Sequence, residues 1–345
     1  MRKIIAVDFF CGAGGATHGL RKAGIKVLKG LDIDPSAKKT YERNNPGSKF
    51  VLADVQTVTE KSVMKGIRRR GKVLLFVGCA PCQPFSLHNR NPKPGDERKS
   101  LILSFGRLIS KIRPEYIFVE NVPRFGKEKN YFFRKFRKML AYKYVIQYGI
   151  MDAKDYGVPQ SRKRFVLIGR LKGFGTDITI PLASHGHGLI PYVTVRDAIS
   201  KYPRITTRST SKFPPNHITQ KLGPKNLQRI KLIRKDGGSR SDLPPELVLE
   251  CHKTHRGHRD VYGRMAWNLP SPTLTCKCTS ITNGRFGHPE QNRAITVREA
   301  AAIQTFPDKY IFYGNLKSIS RHVGNAVPVS LAHVIGKMFV GACYG

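Results

Sequence analysis

Asp8-Phe9-Phe10-Cys11-Gly12-Ala13-Gly14-Gly15 is the stretch on which the fold turns. A β-branched and aromatic run over residues 4–9 leads into it, and a segment of helical character over 16–23 leads out. Strand, glycine-rich turn and helix in that order let a ligand approach the backbone at a helix N-terminus. The turn departs from a dinucleotide fingerprint, because Thr17 stands where G-x-G-x-x-G requires its third glycine. Further along, a second strand over 26–31 ends at Asp32, about twenty residues beyond Gly12, where a carboxylate can take the hydroxyls of a ribose. Residues 35–41 open as a helix with Pro35 in the first turn. Asp54, in Leu52-Ala53-Asp54-Val55, closes a third strand at the same sheet edge and can receive an adenine amino group. Further apolar runs at 73–77, 116–120 and 164–168 are separated by helix-length segments, so the spacing predicts an open α/β sheet with crossover helices. Small residues and carboxylates at three strand ends describe a pocket for an adenosine-containing ligand, and no P-loop lysine is present to bind a triphosphate.

Charge narrows the partners. Against 23 acidic residues the 345-residue chain carries 61 Lys and Arg, a formal net charge of +38, while 40% hydrophobic content is ordinary for a globular protein. An excess of this size implies a polyanion, nucleic acid before an anionic membrane surface. No membrane partner is expected, and residues 1–8 read as a first strand, not a signal peptide, so the expected setting is soluble and cytoplasmic. Seven scattered cysteines suit a reducing compartment. Cys251, His252, His255, His258, Cys276 and Cys278 match no standard zinc spacing, so no metal is expected.

Three segments carry chemistry. In Phe76-Val77-Gly78-Cys79-Ala80-Pro81-Cys82-Gln83-Pro84-Phe85-Ser86 an apolar run stops at a cysteine, Cys82, with prolines on both sides; it is either a candidate nucleophile or a turn cysteine without a role. Cys79 lacks the flanking prolines and is expected to point into the core. Glu120 ends another apolar strand, placed for acid–base work or for capping a turn. In Gln160-Ser161-Arg162-Lys163-Arg164-Phe165 the alternation of a strand sets Arg162 and Arg164 on one face, aimed into a site or simply at solvent. Over 181–267 periodicity fades and basic residues crowd together, predicting a loop-rich insert with a short basic helix near 226–234. Helices are expected again at 297–306 and 329–340.

Taken together and in this order, these blocks resemble the DNA cytosine-5 methyltransferases over nearly the whole chain, through to Arg293 and Pro307 and to Gly324-Asn325-Ala326-Val327-Pro328. The resemblance implies an α/β, Rossmann-like, S-adenosylmethionine-dependent methyltransferase fold. Its sheet is mostly parallel with helices on both faces, and a smaller loop-rich target recognition domain is added. Residues 1–180 would form the catalytic and cofactor-binding domain, 181–267 the recognition domain, and 268–345 a segment returning to the first. The implied reaction is methyl transfer to C5 of a flipped cytosine in double-stranded DNA. Cys82 would add to C6, Glu120 would hold N3 and the amine, and Arg164 with Arg162 would bind O2. S-adenosyl-L-methionine would lie against Phe10, Gly12, Gly14, Asp32, Ile33, Asp54, Val55, Pro81 and Asn325. DNA would meet Gln83, Ser86, His88 and Arg90 after the nucleophile, and Arg229, Arg234 and Arg240 in the insert. A monomer is expected, with room for a cognate restriction endonuclease that acts independently. The alternatives are a transfer RNA cytosine-5 methyltransferase and a non-catalytic DNA-binding homologue.

Overall fold

Alternating strands and helices organise the first half of the computed structural model, which describes residues 2–81, 100–205, 214–253 and 260–344. The chain divides into two compact units. The first takes the residues up to Asp152, then Lys163–Ala183, then everything from Val327 onward. Its elements are β1 (Lys3–Phe9), α1 (Gly15–Lys22), β2 (Lys26–Asp32), α2 (Lys38–Asn44), β3 (Lys49–Leu52), α3 (Glu60–Met64) and β4 (Lys72–Gly78). They continue with α4 (Leu101–Ile112), β5 (Tyr116–Asn121), α5 (Tyr131–Ala141), β6 (Tyr144–Asp152) and β7 (Lys163–Leu171).

The described strands form a seven-stranded sheet in the order β3-β2-β1-β4-β5-β7-β6. The first five are parallel, whereas β7 runs antiparallel to both β5 and β6. Central strands β1, β4 and β5 are buried along nearly their whole length and, apart from Asp8 and the Glu120-Asn121 end of β5, read as apolar runs, as in sheets covered on both faces. On one face Phe9, Phe76, Phe105, Phe125, Phe133, Phe136 and Phe165 build an aromatic core. Gly78 is required there, since a Cβ would lie 2.3 Å from the Phe105 ring.

On the other face α1 packs against the last helix of the chain. Gly19 permits that approach: a Cβ would come within 2.3 Å of the Val329 carbonyl oxygen. The most apolar stretch, Leu316–Cys343, is broken at Pro328, and its longer part turns Leu331, Ala332, Ile335 and Phe339 into the core. The expected strand, helix and strand alternation is what the structure shows.

The second unit consists of Ala153–Arg162 and Ser184–Ala326 and holds α6 (Val195–Ile199), α7 (Pro224–Leu232), α8 (Glu250–Lys253), α9 (Val297–Ile303) and α10 (Leu316–Asn325). From Val329 the chain enters α11 (Val329–Tyr344) in the first unit. The second unit reaches well past residue 267, where the sequence suggested a return to the first domain. The reason is packing within the unit: Val297 and Arg298 N–H groups bond to the carbonyls of Ile218 and Asn216, and Gln160 bonds to Gln304 at 2.9 Å. The unit has few strands, so buried polar side chains organise it. Arg264, with no exposed surface, donates to the carbonyls of Ile230, Ile233, His288 and Gln291 and to Asn292. Two of those carbonyls belong to the end of α7, where a cation meets the negative pole of the helix.

Candidate active site

Parallel strands bring their carboxyl ends to one edge, and a ligand site in such a sheet forms there. At this edge β1 runs into Phe10–Gly14, β2 ends on Asp32, β3 leads to Asp54, β4 leads to Cys79–Pro81, and β5 ends on Glu120 and Asn121. The antiparallel β7 starts at the same edge, because Asn121 is in register with Phe165. A residue at the beginning of β7 can thereby meet one at the end of β5. Arg164 and Glu120 do so: Nε of Arg164 lies 2.8 Å from Oε1 of Glu120, and both residues are buried. Burial weakens solvent screening, so this pair holds both side chains in one orientation. Asn121, also buried, donates to the Ala80 carbonyl at 3.3 Å and accepts from Val122 N–H at 2.8 Å, tying β5 to the segment that leads to Cys82. Cys82 itself, with Gln83, Ser86, His88 and Arg90, lies outside the described residues.

The glycine-rich turn is held by hydrogen bonds from its own backbone. Cys11 N–H donates to the Leu31 carbonyl, and Gly12 N–H donates to Asp32 Oδ2 at 2.8 Å. The other Asp32 oxygen accepts from Asp34 N–H at 2.9 Å. The carboxylate is therefore locked in place at the mouth of the turn. Phe10 (φ 62°) and Gly12 (φ 49°) both adopt left-handed backbone conformations. For Phe10 this is a strained geometry of the kind found where a turn is shaped for a ligand. A Cβ on Gly12 would meet nothing within 4 Å, so space stands open above it. Ile33 exposes an apolar side chain at 67% of its surface beside Asp32. Asp54 accepts from Gln56 N–H at 2.8 Å, whereas Val55 is buried in the core and offers no exposed side chain. Open backbone, an anchored carboxylate and an exposed aliphatic surface fit an adenosine-bearing cofactor.

Beneath the turn lies a network that the sequence did not announce. Asp8 has no exposed surface; its Oδ2 accepts from the Thr17 hydroxyl at 2.6 Å, while Oδ1 has no hydrogen-bond partner. Thr17 Oγ1 lies 3.0 Å from Tyr41 Oη, which in turn lies 2.7 Å from Ser48 Oγ. Burial pushes the Asp8 carboxyl up to about 7, with the Asp32 charge adding to it against the Thr17 bond. The same burial pushes the Cys11 and Cys79 thiols well above the usual thiol range, helped by Asp8 and by Asp32 or Glu120 respectively. A cysteine so placed is a poor nucleophile. Cys79 is half-buried, and its N–H faces the Phe9 carbonyl.

A profile of the C-5 cytosine-specific DNA methylases matches residues 4–340 of the chain. The chain belongs to that family. Among its relatives, the type II methylase M.HgiDII of Herpetosiphon aurantiacus is 39% identical over 342 residues, covering 96% of this chain and 93% of that protein. The type II methyltransferase M1.HphI of Haemophilus parahaemolyticus is 33% identical, covering 96% of this chain and 85% of that protein. In fold, the methylase resembles a prophage-encoded protein of E. coli assigned as a DNA modification methyltransferase. The TM-score is 0.76 with 24% identity, over 99% of this chain and 100% of that one. As a member of this family the protein is a C5 cytosine DNA methyltransferase that uses S-adenosylmethionine, with the Rossmann-like fold of that class.

Not every residue expected at the site of a methylase is free to work there. Arg162 lies just before β7, its carbonyl accepting from Ala153 N–H at 3.0 Å. Its guanidinium donates to the carbonyls of Leu274 at 2.9 Å and Ala326 at 3.2 Å. Arg229, expected on DNA, is buried: it donates to the Leu247 carbonyl and to Asn226 and stacks over Tyr262 at 5.4 Å. An arginine on the inner side of α7 packs, whatever the charge of its neighbours. Arg234 is exposed and Arg240 half-buried. Asn325 is exposed at the end of α10, where a Cβ on the preceding Gly324 would lie 1.8 Å from the Thr275 carbonyl oxygen. Pro81 is half-buried just before Cys82. Cys278 is buried with its thiol toward the Ser320 carbonyl, and Cys276 is exposed. His255 and His258 lie outside the described residues, and among those described no three His, Cys, Asp or Glu converge to hold a metal.

Proposed function

We propose that this chain methylates C5 of a specific cytosine flipped out of duplex DNA, with Cys82 as the covalent nucleophile. The buried Glu120–Arg164 pair at the carboxyl edge carries the reading. Cytosine C5 is a poor nucleophile until electrons are pushed toward it. Addition of the Cys82 thiolate to C6 breaks the C5–C6 double bond and makes C5 electron-rich. Glu120, facing N3 and the exocyclic amine, shares a proton with the ring as that charge develops. Arg164, held at Nε by Glu120 and at one Nη by the Lys163 carbonyl, would offer its other Nη to O2 and favour the same polarisation. C5 would then take the methyl group as the donor's sulfur–methyl bond breaks to leave a neutral thioether, and loss of the C5 proton to a base that we do not assign restores the double bond as the thiolate leaves C6.

S-adenosylmethionine supplies an electrophilic methyl group on a sulfonium. Asp32 would hold its ribose, Ile33, Asp54 and the main chain of Val55 its adenine, and the backbone from Phe10 to Gly14 its methionine portion, with Pro81 beside it; Asn325 is proposed as a cofactor residue on the resemblance alone. Because C6 is hidden inside a duplex, the target base must be extruded. Gln83, Ser86, His88 and Arg90 would fill the gap and grip phosphates, while Arg234 and Arg240 of the second unit would meet the DNA. Arg162 would act by holding Leu274 and Ala326 in place. A charge of +38 opposes self-association and favours a monomer.

The test is incubation of the purified chain with labelled S-adenosylmethionine and duplex DNA, followed by bisulfite sequencing to find the site. Duplexes carrying 5-fluorocytosine at that site should trap the wild type covalently and Cys82→Ser not at all. Trapping of Cys82→Ser, or label incorporated without any 5-methylcytosine, would refute the proposal.

A further inference from the structure

Part of the charge excess is arranged in order at the opposite edge of the sheet. Four adjacent strands, β4, β1, β2 and β3, each begin with an exposed lysine: Lys72, Lys3, Lys26 and Lys49. Lys3 and Lys72 are direct register partners. Lys26 is level with Ile5, and Lys49 is level with Lys29, which is level with Val7. Ile5 and Val7 lie on the Lys3 side of β1, so all four lysines share one face. The register shift between β1 and β2 at Ala6/Val7 keeps Lys26 and Lys29 on that same face. With strands about 4.8 Å apart and a rise of about 3.3 Å per residue, the four trace an oblique line of about 20 Å.

Like charges directly opposite one another in a sheet repel. None of the four lysines forms an ion pair among the described residues. The nearby carboxylate of Glu115 is already engaged at both oxygens, by Arg69 at 2.6 Å and by Leu74 N–H at 2.7 Å. Arg69 also donates to the carbonyls of Ile112 and Arg113, and Lys72 N–H closes the turn onto the Arg69 carbonyl. The pinned turn leaves its neighbours Arg68 and Arg70 exposed beside Lys72. Next to Lys26 a shallow cavity of about 260 Å³ is lined by Arg21, Lys26 and the backbone of Gly24 and Gly47.

We propose that this amino-end edge is a second, sequence-independent binding surface for the phosphate backbone of duplex DNA, separate from the reaction edge. The inference rests on DNA being the substrate. Over about 20 Å one DNA strand carries roughly six phosphates, enough to neutralise the line. Such a surface would grip flanking DNA or a second duplex while the carboxyl edge works.

The experiment combines Lys3→Gln, Lys26→Gln, Lys49→Gln and Lys72→Gln and measures affinity for a long non-specific duplex against salt concentration. Four lost phosphate contacts lower the slope of log K against log salt by up to about 3.6, at about 0.9 each. A drop of about two or more is expected, and a smaller one overturns the proposal. The double variant Arg68→Gln/Arg70→Gln, confined to an exposed turn, provides a second measurement with an expected drop of about 1.8. On a duplex of about one helical turn carrying the methylation site, turnover by both variants should match wild type. Turnover lost there would place these residues in the reaction itself and overturn the proposal. So would an unchanged DNA slope accompanied by lost binding to phosphatidylserine vesicles. Absence of methyl transfer by the wild type would instead sink the proposed function, and the slopes would still be readable.

Discussion

Replacing Asp8 with asparagine should change how the stability of the first unit depends on pH. In the unfolded chain this carboxyl titrates near 3.8; in the folded protein, buried with one hydrogen-bonded oxygen and one without a partner, it titrates at about 7. The folded state therefore holds a proton that the unfolded state has released. Stability falls as pH rises wherever the folded form binds more protons, which here spans the interval from about pH 4 to about pH 7. Between pH 5 and pH 8 the wild type crosses about two units of that interval, and at 1.36 kcal/mol per unit it loses about 3 kcal/mol. An asparagine at this position carries no such proton, and the variant should lose none of that stability.

The absolute stability of Asp8→Asn matters less than this slope. The amide oxygen can keep accepting from Thr17, but the amide nitrogen places N–H groups where Oδ1 stood unpartnered, a penalty of about 1–3 kcal/mol that is independent of pH. Thermal melts of both proteins at several pH values from 5 to 8 are the assay. The wild-type midpoint should fall relative to the variant by several degrees over that range. Parallel curves would refute the reasoning, because they would mean that Asp8 is already ionised at pH 5 despite its burial.

Glu120→Gln removes one charge of a buried pair and leaves the Arg164 guanidinium uncompensated; methyl transfer should be abolished and stability reduced by about 3 kcal/mol, measured by labelled-methyl incorporation and by melting. Gly19→Ala should lower the melting temperature, since its Cβ would collide with the Val329 carbonyl at 2.3 Å; Gly12→Ala meets no atom, so it should cost only the roughly 1 kcal/mol of placing alanine at a left-handed φ of 49° and should also weaken S-adenosylmethionine binding seen by calorimetry. Arg229→Gln should destabilise the second unit without altering the salt dependence of DNA binding. Arg234→Gln, at an exposed position, should leave melting unchanged and lower the salt slope by about 0.9.

Periodicity made the first unit legible because strand ends in a parallel sheet converge, whatever the intervening helices contain. Asp32, Asp54, Glu120 and the residues around Gly12 were all recognisable as carboxyl-edge residues from their position after apolar runs. Alternation did not disclose that the Arg162 guanidinium is taken by the carbonyls of Leu274 and Ala326, partners more than a hundred residues away. In the second unit the helices at Pro224–Leu232 and Val297–Ile303 were legible, but the packing around them was not. Nothing in a run of basic residues distinguishes Arg229, which packs, from Arg234, which does not; that depends on which side of α7 meets Leu247 and Tyr262. Arg264 is the extreme case, a guanidinium buried among carbonyls and lowered to about 10 by that burial, with no local signal in the chain.

Thr17 shows how a broken motif can be a repaired one. The third glycine of a dinucleotide turn allows a helix to approach its neighbour closely. Here the close approach has moved two residues along, to Gly19, whose missing Cβ admits the backbone of α11. The vacated position carries a hydroxyl that binds Asp8 and Tyr41 at once. Tyr41 reaches that point only because Gly30 leaves room: a Cβ there would stand 2.4 Å from its ring. Two glycines and one threonine thus divide a task that a standard fingerprint assigns to one residue. The prediction that separates the roles is direct. Thr17→Gly should restore the fingerprint in sequence yet destabilise the turn, because it takes the Thr17 hydroxyl away from Asp8 inside the core. A Thr17→Gly protein as stable as wild type would show that the hydroxyl network is incidental to the turn.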